Sequence, residues 1–119
     1  MIHMLSAFNL GAGQTVEDFK QSYRLFVDDL FKMNLIVNSG PLGERVTETP
    51  MDTDERNQIF YSILSFRDRA QLDAAYAYIA SNSEPGMSSH LDMHAGVADG
   101  VFTCWRDTRK LTGLFWIFF

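Results

Sequence analysis

The chain has 119 residues, a formal charge of -5 and a pI near 5.0. That length fits one domain, large enough to bury roughly two-thirds of its unfolded surface without disulfide or structural metal. The single cysteine excludes an internal disulfide and a Cys-rich zinc site, the lack of a basic stripe argues against nucleic acid, and no segment reaches the ~18 apolar residues of a membrane span.

Ile2 to Leu10 is short and apolar, ends at Gly11-Ala12-Gly13, and predicts a strand. His3, Ser6 and Asn9 interrupt it, and no positive region precedes it, which does not suit a signal peptide. A bacterial-type cytoplasmic protein is the expectation. Thr15 offers an N-cap, with Glu17 and Asp18 in the first turn, where the helix dipole favours negative charge. Phe19, Tyr23, Phe26, Val27, Leu30 and Met33 follow at helical spacing, so residues 15 to 33 should form a helix that Asn34 stops.

Leu35, Ile36 and Val37 predict a second strand, broken by Gly40-Pro41 and Gly43. Residues 44 to 57 are polar and predict an unusually long hairpin connection. A third strand is expected over 58 to 66. Asp68 then caps a second helix, with Gln71 at its third position and a stripe of Leu72, Ala75, Tyr76 and Ile79 to bury. Met87 to Ala98 has room for one or two helical turns, and Val101 to Trp105 predicts a fourth strand. Cys104 lies in this apolar run and reads as a buried small hydrophobe. The domain thus runs over 1–110. The tail 111–119, rich in Leu, Phe and Trp, reads as a fifth strand, a cover for this chain or its partner, or a cloning or frameshift artefact.

The order strand, helix, strand, strand, helix, strand is the split βαβ pattern. It predicts an α+β, ferredoxin-like βαββαβ unit with a four-stranded antiparallel sheet. Strand faces alternate by residue. Ile2, Met4 and Phe8 oppose Leu5 and Ala7; Phe60, Leu64 and Phe66 oppose Ile59, Tyr61 and Ile63; Val101 and Trp105 oppose Phe102 and Cys104. Neither face is polar, yet helices cover only one. A second copy of the chain is the expected cover for the other, giving a homodimer.

Met1-Ile2-His3-Met4-Leu5 and Ser65-Phe66-Arg67-Asp68 resemble the stress-responsive α/β-barrel domain of the dimeric α/β-barrel superfamily. Pro50-Met51-Asp52-Thr53-Asp54 and Val101-Phe102-Thr103-Cys104-Trp105-Arg106-Asp107 are similar to an alphaproteobacterial branch of it. The resemblance covers about residues 1 to 107. It implies pairing into a dimeric α/β barrel. The superfamily includes polyketide cyclases, cofactor-free monooxygenases, lactone isomerases, haem enzymes and proteins of no known activity. In the cyclases one histidine on the first strand and another after the second helix line an apolar pocket. The resemblance implies those places for His3 and for His90 or His94.

The chain has three histidines. His3 suits a general acid or base, or a core position. His90 and His94 are four apart and share a helical face; with His3 they could also ligate a metal. Phe60, Tyr61 and Tyr76 are candidate pocket walls. Asp52, Asp54 and Glu55 read as a solvated acidic loop, and no Ser-His-Asp spacing appears. Three functions follow: binding or processing of a small apolar or aromatic molecule with no cofactor, a non-catalytic dimeric module with structural histidines, or a metal-binding protein.

Overall fold

A computed structural model describes residues 1–108. The predicted tail 111–119 lies outside the described residues. The elements are β1 (Ile2–Leu10), α1 (Val16–Lys32), β2 (Asn38–Ser39), β3 (Gly43–Glu44), β4 (Phe60–Phe66), α2 (Arg69–Ala80), α3 (Gly86–Ala95) and β5 (Val97–Arg106). The sheet order is β2-β4-β1-β5, with β3 also pairing β4, and each pairing is antiparallel. This is the α+β, ferredoxin-like arrangement, with β1 and β4 at its centre and β5 along an edge.

Local chemistry sets the boundaries. Thr15 caps α1 by accepting from the Asp18 amide at 3.1 Å. At the other end Asn34 adopts φ 56°, the Asn34 amide donates to Phe31 and the Leu35 amide donates to Leu30. That is a Schellman stop with asparagine in the left-handed position. It corrects the expected second strand: Leu35 is the buried apolar residue that follows such a stop, and Leu35 and Ile36 pack in the core instead. The ladder begins with the Val37 amide donating to Ser65 and continues at Asn38 and Ser39. Pro41, which has no N–H, then separates β2 from β3, so the sheet has five strands rather than four.

The long connection is held by Arg45. Its guanidinium donates to both Asp52 oxygens at 2.8 and 3.0 Å and to the carbonyls of Thr53 and Arg56. Asp52 is thus a structural partner, while Asp54 and Glu55 are exposed. Asp68 caps α2 through the Gln71 amide, and the Gln71 side chain accepts from the Arg67 amide and donates to the Asn34 carbonyl. The Gln71 side chain therefore also ties the start of α2 to the end of α1.

The ladder fixes which side chains share a face. Ile2, Met4, Ser6 and Phe8 pair with Phe66, Leu64, Ser62 and Phe60, and these residues face the helices. Phe8 packs against Phe19 of α1 at 5.1 Å and against Phe60 at 6.1 Å. The opposite face carries His3, Leu5 and Ala7 beside Ser65, Ile63 and Tyr61 on β4 and Trp105, Thr103 and Val101 on β5. Ile63 and Trp105 remain exposed there. Cys104 is exposed too, contrary to the expectation of burial. It sits on the edge strand, where its near neighbour on the helix side is Tyr76.

Candidate functional site

Three helices span the sheet face that carries Met4, Ser6 and Phe8, and they leave a cavity of about 480 Å³ above it. That volume lies within the range of small-molecule sites. Met4, Ser6, Ser62 and Leu64 form its floor, Phe19, Tyr23 and Phe26 of α1 one wall, and Leu72, Ala75, Tyr76 and Ile79 of α2 another. His90, Met93 and His94 of α3 and Phe102 of β5 complete it.

α3 exists because residues 86 to 95 form a ten-residue helix, longer than the one or two turns expected. Gly86 starts it beside Tyr78: the Gly86 amide donates to the Tyr78 hydroxyl, and a Cβ at Gly86 would run into the Tyr78 ring. Their spacing of four puts His90 and His94 one turn apart, with ring centroids 5.6 Å apart and planes 17° from parallel. His90 also packs on Phe26 at 5.3 Å. Burial lowers the proton affinity of His90 below the ordinary histidine value, and the nearby His94 pushes it the same way. Tyr76 is shifted upward, first by burial and then by its hydrogen bond with Cys104. Its hydroxyl lies 3.7 Å from Cys104 Sγ and donates to Met4 Sδ at 3.8 Å.

His3 is not in this cavity. The alternation of β1 puts Met4 on the helix side and His3 on the other, so a shared site of His3 with His90 or His94 does not form. The same separation removes the three-histidine metal site, and no cluster of three or more metal-ligating side chains occurs among the described residues. Tyr61 shares the His3 face and is not a cavity wall. Phe60 is on the helix side but is buried against Phe8, away from the lining. Tyr76, His90 and His94 are the candidates that line the cavity. Ser6 and Ser62 line its floor as well, though their residue types carried no signal in an apolar strand.

His3 has a network of its own. Its Nδ1 lies 2.7 Å from Ser65 Oγ and its Nε2 2.8 Å from Asp107 Oδ1, while its ring packs 5.2 Å from Trp105. The hydrogen bond from His3 holds the Asp107 carboxyl below its ordinary range. Serine, histidine and aspartate thus meet in space, although their order in the chain gives no hint of it. Ser65 is 5% exposed in the middle of the ladder, so a substrate carbonyl has no approach to its hydroxyl.

No protein-family model matches the chain, and no curated protein does. Solved structures do. The crystal structure of the Arabidopsis thaliana protein At3g17210 superposes with a TM-score of 0.70 at 9% identity, covering 93% of this chain and 99% of that one. A dimeric ferredoxin-like protein of unknown function from Jannaschia sp. CCS1 gives 0.61 at 11% identity, covering 89% and 98%. A dimeric protein of unknown function with a ferredoxin-like fold, from Bacteroides fragilis, gives 0.54 at 14% identity, covering 89% and 95%. The fold of this chain is the ferredoxin-like fold found in dimeric proteins of this kind.

Proposed function

We propose that the protein binds a small apolar, aromatic-type molecule between its sheet and its helices and acts on it without a cofactor. The observation that carries this is the apolar cavity of about 480 Å³ with the stacked His90–His94 pair in its wall. Close packing is the rule in protein interiors, so an open space of this size lined by aromatic and aliphatic groups suits a ligand. The depressed proton affinity of His90 keeps its imidazole neutral near pH 7, able to accept a proton or a hydrogen bond from the ligand. The raised phenol of Tyr76 stays protonated and can donate.

The test is binding of the neutral fluorophore N-phenyl-1-naphthylamine. It should saturate at one molecule per chain. Ala80→Trp, which puts bulk at the exposed edge of the cavity lining, should weaken binding at least about tenfold, as loss of a pocket contact region does. His3→Ala, on the other face, should leave binding unchanged. Non-saturable binding, or an effect of His3→Ala equal to that of Ala80→Trp, overturns the proposal.

The second face supports a further reading, compatible with the first. Around the buried Ala7, the side chains of Leu5, Tyr61, Ile63, Val101 and Trp105 form an apolar surface on which, among the described residues, no helix packs. Two proteins of the same fold are described as dimeric. Pairing of this face with its copy would close a homodimeric α/β barrel and leave each helix-side cavity in its own chain.

A further inference from the structure

Along β1 the helix-side row is Ile2, Met4, Ser6 and Phe8, and along β4 it is Phe66, Leu64, Ser62 and Phe60. Burial alone would favour apolar side chains at every one of these places. The two exceptions are direct cross-strand partners. Cβ atoms of such partners lie about 4.5–5.5 Å apart, so the two hydroxyls make one polar spot. Ser6 is 9% exposed and Ser62 4% exposed, and both line the cavity floor. Among the described residues no side-chain hydrogen bond occupies either hydroxyl, and neither is sealed from the cavity, since the fully enclosed side-chain polar atom left without a partner is Gln58 Oε1. A hydroxyl open to the cavity on an otherwise apolar floor offers a ligand a hydrogen bond that the surrounding side chains do not.

We propose that Ser6 and Ser62 are the specificity-determining pair of the cavity, reading a hydroxyl or carbonyl oxygen on an otherwise apolar, flat ligand. The inference rests on the cavity being a ligand site, as proposed above. A serine hydroxyl both donates and accepts, so the pair suits a neutral oxygen in either role. A charged group at this spot would lie between Met4, Phe8 and Leu64 with no counter-charge, which disfavours it. The serines stand on the sheet, whereas His90 stands on α3, so a ligand with two oxygen functions could meet both.

Equilibrium dialysis with 2-naphthol and naphthalene separates the oxygen from the aromatic surface. The wild-type protein should bind 2-naphthol on the order of fivefold more tightly than naphthalene, the ratio for one neutral hydrogen bond. In the Ser6→Ala, Ser62→Ala double variant the two ligands should bind within about twofold of each other, since only apolar contact is left. Ser62→Thr keeps a hydroxyl and should keep the preference. Circular dichroism checks folding; if the double variant does not fold, each single alanine variant should close part of the gap. Wild-type protein that binds both ligands equally, or a preference that survives both alanines, overturns the serine assignment and leaves the cavity proposal standing. Wild-type protein that binds neither ligand overturns both.

Discussion

Ile63→Asp places a carboxylate in the middle of the sheet face opposite the helices, directly across the ladder from Leu5. In the single chain Ile63 keeps 38% of its surface exposed. Complete burial of such a side chain is worth about 1.5–3 kcal/mol, so covering the remaining fraction is worth about 0.6–1.1 kcal/mol per copy. Two-fold pairing uses the same residue twice, which makes about 1.1–2.3 kcal/mol. Desolvating two unpaired carboxylates adds several kcal/mol more. At about 1.4 kcal/mol per tenfold, the dimer dissociation constant should rise at least about a hundredfold. Sedimentation velocity at micromolar protein should give twice the 13.6 kDa chain mass for the wild type and the single mass for the variant. Far-ultraviolet circular dichroism should not change, because the substituted side chain already touches solvent in the monomer. A dimeric Ile63→Asp variant, or a monomeric wild type, would refute the assignment of this face as the interface.

Phe19 is 1% exposed and packs on Phe8 and Tyr23; Phe19→Ala should cost about 3–5 kcal/mol in urea unfolding, and a loss under ~1 kcal/mol would show that α1 does not anchor here as described. Because the folded proton affinity of His90 lies below the unfolded value, the unfolded chain binds more protons as pH drops through the ordinary histidine range. The stability linked to His90 is therefore present above that range and lost as pH falls through it. Between about pH 7.5 and about pH 5.5, His90→Gln should lose less melting temperature than the wild type, and equal losses would contradict burial of this ring.

Much of the fold is legible because local signals and burial agree. Thr15, Asp68 and Gln71 mark helix starts by side-chain caps that form in the structure. The alternation of β1, β4 and β5 sorts their side chains onto the faces that the ladder confirms. Leu35-Ile36 has the composition of a strand but the position of a residue pair just past a helix stop, and the Schellman bonds decide between them. The site was harder to see. His3 differs from Met4 by one place, and one place in a strand reverses the face. Strand alternation puts His3 on the Leu5 face, whereas the resemblance implied a pocket place for it beside His90 or His94. His90 and His94 were legible as a pair through their spacing. Ser6 and Ser62 lie 56 residues apart in the chain, and only the β1–β4 register brings them together.

The claim that the helix-side cavity is the ligand site is tested most directly by nuclear magnetic resonance. Titration of ¹³C,¹⁵N-labelled protein with 2-naphthol reports each histidine ring separately. The His90 and His94 rings, the Tyr76 ring and the Ser62 amide should shift along one saturable curve, while the His3 ring stays where it is. Saturable shifts at His3 with none at His90, or no saturable shift at all, would contradict the account.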